Sequence, residues 1–184
     1  MKATGIVRRI DDLGRVVIPK EIRRTMRIRE GDPLEIYTGD DGDVILKKYS
    51  PMGEITDFAA QYAESLARTS GYITCISDRD SIIAVSGAPK KEFLEKKISP
   101  DLERIMEERS TIIAKSKNDG LVSVLEDDKS DRFTSQVITP IIAHGDPIGA
   151  VILLSTETAK GTVGEVETKL AQAAAGVLGK QLEQ

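Results

Sequence analysis

The residues that carry most metal and redox chemistry are almost missing: this 184-residue chain has one cysteine and one histidine. One cysteine cannot close a disulfide within the chain, which fits a reducing compartment. With Cys75 and His144 alone, no zinc site of the usual Cys/His type can be built within one chain. Sulfoxide reduction and related thiol chemistry need paired cysteines or an assembled acid–base set, and neither is present. No apolar run is long enough to cross a bilayer, and the opening MKATGIVRRI lacks the apolar core of a secretory signal. The expectation is a cytoplasmic protein that is not an enzyme and needs no cofactor or metal. Internal repeats and low-complexity tracts are absent too. Gly145 and Gly149 form no phosphate cradle, and Glu126-Asp127-Asp128-Lys129-Ser130-Asp131 lacks the 12-residue spacing of a calcium loop, so it reads as a solvated connector.

What is present is an uneven charge distribution. The net charge is −4, yet residues 1–29 carry nine cations (Lys2, Arg8, Arg9, Arg15, Lys20, Arg23, Arg24, Arg27, Arg29) against Asp11, Asp12 and Glu21. That segment is +6 and the remainder −10. A concentrated positive patch on an acidic protein attracts phosphates locally while the rest repels non-specific polyanion contact.

Residues 4–10 and 15–18 read as strands around the turn Asp11-Asp12-Leu13-Gly14. Pro19 suits the first turn of a short helix with Ile18, Ile22 and Met26 on one face, and Gly31 is its expected stop. A hairpin follows, residues 34–37 and 44–48. A unit of about 50 residues without metal or disulfide is marginal alone, which argues for folding with a second copy. The boundary falls near Tyr49-Ser50-Pro51, giving domains 1–50 and 51–184. The second begins with an amphipathic helix over 54–68. Strands are expected at 72–77 and 82–86, then a helix capped by Ser99-Pro100. Further strands read at 111–114 and 121–125. The strongest hairpin signal is 137–143 and 148–154 around His144-Gly145-Asp146-Pro147, and a last helix starts near Val163. The fold class is α+β: a small N-terminal β unit, then an antiparallel sheet with flanking helices.

The stretch from Thr4 to Tyr49, with Gly14-Arg15-Val16-Val17-Ile18-Pro19, Ile22-Arg23-Arg24 and Gly31-Asp32-Pro33-Leu34-Glu35-Ile36, strongly resembles the AbrB-like family of swapped-hairpin DNA-binding domains. Met26 stands where many relatives have leucine, a volume-conserving swap. Val137-Ile138-Thr139-Pro140-Ile141-Ile142 with Gly145-Asp146-Pro147-Ile148-Gly149-Ala150-Val151 resembles the closing hairpin of GAF domains. The combination is similar to sporulation regulators of endospore-forming bacteria. This resemblance implies a dimer whose hairpins interleave into a β-barrel, a GAF-like sensor domain, a homotetramer, and a transcription regulator that both activates and represses. Double-stranded DNA is the implied partner, a small-molecule effector of unknown identity binds the sensor, and no membrane is involved.

By the same resemblance Arg8, Arg15, Arg23 and Arg24 contact DNA; their charge and position, not the resemblance, add Lys2, Arg9, Lys20 and Arg27 as secondary candidates. The physical case is partly independent, because arginine offers a planar fork to phosphate or guanine. Arg15 follows a tight turn, and Arg23 and Arg27 share a helix face with Arg24 beside them. A solvated surface paired with Asp11, Asp12 and Glu21 explains the same residues without DNA. For Cys75 a buried structural thiol outweighs a redox sensor, because no cation neighbours it in sequence. His144 reads as a surface turn residue. Val163, Val166, Leu170, Ala173 and Val177 keep a spacing that suits either a seam between subunits or packing on the chain's own sheet. An antitoxin-like interaction module is the competing function, disfavoured because a folded domain follows where those proteins end in a disordered tail.

Overall fold

The computed structural model describes residues 4–127, 132–157 and 161–184. The chain divides into two compact units, Met1–Tyr49 and Ser50–Gln184.

In the first unit, α1 (Lys20–Thr25) starts after Pro19, which lacks the amide proton that a helix start leaves unpaired anyway. The strands β1 (Leu34–Thr38) and β2 (Val44–Lys48) pair antiparallel, with Leu34 opposite Lys48 and Thr38 opposite Val44. Three expectations are corrected. Residues 4–10 and 15–18 form no strand, since no described segment pairs with them in a ladder, and Gly5 takes φ 70°. The helix ends at Thr25 rather than running to Gly31. Arg27 takes φ 51°, and its left-handed backbone turns the chain out of the helix. Arg23 and Arg27 therefore do not share a helix face.

The second unit is a five-stranded antiparallel sheet with helices on both faces. A 3₁₀ turn, Pro51–Ile55, leads into α2 (Thr56–Ser70), which Gly71 closes in the left-handed conformation. Then come β3 (Ile73–Ser77), β4 (Ile82–Ser86), α3 (Lys90–Phe93), α4 (Pro100–Glu108), β5 (Ile112–Ala114), β6 (Phe133–Ala143), β7 (Asp146–Thr156) and α5 (Glu165–Gln181). The sheet order is β4-β3-β7-β6-β5. Period-two alternation sends neighbours into opposite cores: Ile76, Val137, Val151 and Leu153 pack under α2 and α5, while Cys75, Ile138, Ile152 and Leu154 pack under α4. The helix α5 buries Ala171, Ala174, Ala175, Leu178 and Gly179. These small residues let it lie against β6 so closely that a Cβ at Gly179 would sit 2.2 Å from the Ile142 carbonyl oxygen.

The α4 start is as expected: Ser99 Oγ accepts from the Leu102 N–H at 3.0 Å. Three details differ. The β6–β7 turn is two residues, His144 (φ 49°) and Gly145 (φ 83°), and positive φ at both is the type I′ geometry that matches strand twist. The short α3 is an element the sequence reading does not name. Residues 121–125 are not a strand, because their backbone bonds run elsewhere. The Gln136 side-chain amide donates to the Val122 carbonyl (3.1 Å) and accepts from the Val122 N–H (2.7 Å). Val124 O accepts from the Ser99 N–H at 2.9 Å, and Ser99 Oγ donates to the Ser123 carbonyl. No helix among the described residues is long and apolar enough to cross a membrane.

Candidate nucleic-acid interface

The first unit shows two surfaces that isolated folded domains rarely carry together. Along residues 4–18 and the hairpin, large apolar side chains lie open: Val7 is 83 % exposed, Val17 70 % and Val44 68 %, with Ile10, Leu13 and Ile36 also exposed. Burying one such side chain stabilises by about 1.5–3 kcal/mol, and in the single chain none of these six is buried. Beside it in sequence lie the cations. Arg8, Arg9, Arg15, Lys20, Arg23 and Arg24 are all exposed.

Arg15 is tied into its turn through both backbone and side chain. The Gly14 N–H donates to the Asp11 carbonyl (3.1 Å) and the Asp11 N–H to the Arg15 carbonyl (3.0 Å), with Gly14 at φ 75°. This is a three-residue loop built on a turn followed by a left-handed glycine. One Asp11 carboxylate oxygen accepts from the Leu13 N–H (3.0 Å) and the Arg15 N–H (2.7 Å). The other accepts from Arg15 Nε at 2.7 Å. These bonds, first the Arg15 backbone N–H and then its guanidinium, hold the Asp11 carboxyl below its usual pKa.

The remaining cations divide. Arg8 Nη1 donates to the adjacent Val7 carbonyl, at 3.2 Å. Arg23 and Arg24 project from the last turn of α1. Arg27 is half-buried at the helix exit, where its carbonyl accepts from Lys48 Nζ at 2.9 Å, so it is placed less well than its neighbours. Lys2 lies outside the described residues. Asp11 was read from sequence only as turn chemistry or a neutralising partner. An Asx residue opening a turn, followed four positions on by arginine, was the signal for its second role.

The second unit offers less to chemistry. Cys75 is fully buried between Thr74 and Ile76, and burial pushes its thiol pKa up, with Arg132 a smaller opposing influence. The Arg132 guanidinium lies 5.3 Å from the Phe93 ring centre and 4.8 Å from that of Phe133 and pairs with Glu92. His144 occupies the β6–β7 turn, where its N–H donates to a Glu183 carboxylate oxygen at 2.8 Å. No group of three or more His, Cys, Asp or Glu among the described residues could hold a metal. Of the acidic connector, residues 128–131 lie outside the described residues. Val163, just before α5, is buried; on α5 Leu170 is half-buried, and Val166, Ala173 and Val177 are exposed.

Comparisons with known proteins divide along the same boundary. Residues 54–183 match the family model described as "Stage V sporulation protein T C-terminal, transcription factor". Residues 7–54 match that of the MazE bacterial antitoxins, "Antidote-toxin recognition". Over 100 % of both chains, the sequence is 56 % identical to stage V sporulation protein T of Bacillus subtilis. It is also 59 % identical over 63 residues to the transition state regulatory protein AbrB of that organism, covering 31 % of this chain and 65 % of AbrB. The second unit has the GAF fold: the Thermosynechococcus elongatus PixJ GAF domain superposes with a TM-score of 0.57 at 11 % identity, over 74 % of this chain and 89 % of that one.

Proposed function

The chain belongs to the stage V sporulation protein T family, and on that footing we propose that it is a DNA-binding transcription regulator of sporulation genes, acting as activator and repressor. Two copies of the first unit knit together. Residues 4–10 and 15–18 find their ladder partners on the second copy, and the exposed valines and isoleucines become the shared core of a barrel. Arg8, Arg15, Arg23 and Arg24 contact the duplex, with Lys2, Arg9 and Lys20 adding phosphate contacts and Arg27 the weakest candidate. The observation that carries this reading is the pairing of exposed arginines with an open apolar face in one small unit. A merely solvated surface would need no such face.

The GAF-fold unit serves regulation and assembly in this reading. A small molecule that binds one arrangement of the domains better than another shifts DNA affinity by that difference alone. Exposed Val166, Ala173 and Val177 on α5, with half-buried Phe58 and Tyr62 on α2, suit the contacts that join dimers into a tetramer in a cytoplasmic protein. The reading is non-enzymatic, and a thiol as buried as Cys75 supplies no nucleophile. The antitoxin reading has one observation in its favour, the match of residues 7–54, but a toxin-binding tail has no counterpart in a folded GAF unit.

The test is the full-length variant Arg15→Ala/Arg23→Ala/Arg24→Ala with its oligomer intact. Loss of binding to the duplex that the wild-type chain enriches from a random pool is the expected result. Undiminished binding overturns the proposal.

A further inference from the structure

We propose that Asp11 is a positioning residue for DNA recognition: its carboxylate fixes the turn and clamps Arg15 through Nε, aiming the end of the guanidinium outward and lowering affinity for the wrong duplex. The inference rests on the assignment of Arg15 to DNA.

A single carboxylate does both tasks. Its first oxygen accepts from the Leu13 and Arg15 N–H groups and so sets the loop. Its second accepts from Arg15 Nε at 2.7 Å. Guanidinium has five N–H donors in a rigid plane. Engaging Nε fixes that plane and leaves four donors, on Nη1 and Nη2, for a ligand. The end presented by Nη1 and Nη2 is the fork that pairs bidentately with guanine or with two phosphate oxygens. An exposed arginine otherwise loses side-chain freedom on binding, and here the chain has already restricted it.

The anion has a second consequence. Asp11 is ionised at neutral pH, and its exposed charge lies directly beside the arginine. On a correctly registered site the clamped fork reaches its target with the carboxylate behind it. On a misregistered backbone the same charge faces phosphate and repels it. Asp11 thus raises the ratio of specific to non-specific affinity, at the cost of one unit of net attraction per chain.

The experiment compares full-length wild type, Asp11→Asn, Arg15→Lys and the double variant. The probes are the duplex enriched from a random pool by the wild type and a scrambled duplex of the same length and composition. Asparagine keeps an oxygen acceptor for the two backbone N–H groups but no longer offers Nε an anion. Lysine keeps the charge but has neither Nε nor the fork. The expected result is that Asp11→Asn loses about tenfold on the enriched duplex, from restricting one arginine on each of two chains. It should bind the scrambled duplex as well as wild type or better. In the Arg15→Lys background Asp11→Asn should no longer cost affinity for the enriched duplex. Equal losses on both probes, or effects of the two substitutions that simply add, would show that Asp11 only caps the turn and would overturn the proposal. If Arg15→Lys itself leaves the enriched duplex bound as tightly as by wild type, the assignment of Arg15 to DNA fails instead.

Discussion

Replacing Arg23 and Arg24 with alanine removes two cations from α1 and, in a dimer, four from the surface offered to DNA. Both side chains are exposed at the end of a six-residue helix that buries none of its residues, so the fold should tolerate the change. If Arg8, Arg15, Arg23 and Arg24 of two copies each neutralise a phosphate, log affinity should fall against log salt with a slope of about −7, at roughly 0.9 per phosphate. The variant should give a slope of about −3.5. Between about 50 and 200 mM salt, wild-type affinity should drop roughly ten-thousandfold and that of the variant only about a hundredfold. Fluorescence anisotropy with the enriched duplex across a KCl series measures both, with sedimentation velocity confirming that the oligomer is unchanged. A variant slope equal to that of wild type would refute the claim that these arginines meet phosphate.

Val17→Glu tests the pairing of the first units. A residue 70 % exposed in a single chain tolerates a charge unless a second copy covers it, where an unpaired carboxylate costs on the order of 3–5 kcal/mol. Sedimentation equilibrium should show dissociation, and an unchanged mass would sink the dimer reading. Gly179→Ala should destabilise the second unit by about 1–3 kcal/mol, because its Cβ would lie 2.2 Å from the Ile142 carbonyl oxygen and α5 must move off β6. Thermal denaturation reads the effect, and an unchanged melting temperature would contradict the close approach. Cys75 should be inert to thiol reagents until the protein unfolds. Because burial raises its folded pKa, the unfolded chain gives up the thiol proton first. The thiol's contribution to stability is thus complete below about pH 8.5 and lost at up to about 1.4 kcal/mol per pH unit as pH rises above it. Denaturant titrations of wild type and Cys75→Ala should diverge in slope above that pH, and parallel curves would refute the burial argument.

The elements legible in the sequence are those whose partners are local. The Ser99-Pro100 start of α4 needs only its own first turn. Likewise β6 and β7 are joined by two residues and pair along their whole length. The two-residue turn was harder to read, because Asp146 and Pro147 carry turn chemistry, yet both lie in the first pairs of β7, with Pro147 opposite Ile142. Residues 121–125 have the apolar pattern of a strand, but a glutamine side chain and a serine cap take their backbone bonds. That competition is settled by tertiary position, which periodicity does not contain. The order β4-β3-β7-β6-β5 is equally non-local, since β3 must wait for β7, some 70 residues on.

The first unit carries this logic beyond a single chain. Residues 4–10 and 15–18 have the composition of strands and form no ladder, while apolar side chains around them remain open. Pattern and isolated structure disagree there, and a backbone that can neither pair nor bury its side chains is unstable in water. The disagreement is resolved if the missing strand partners belong to another copy. Size alone points the same way. The arginines then gain a reason for their placement. Arg15 follows a loop clamped by Asp11, and Arg23 and Arg24 stand on a helix that needs no interior of its own. None of them depends on burial within its own chain for its position. A second copy would therefore double the charged surface without having to rebuild it, and the low-stability unit would become rigid at the step that also completes the interface with DNA.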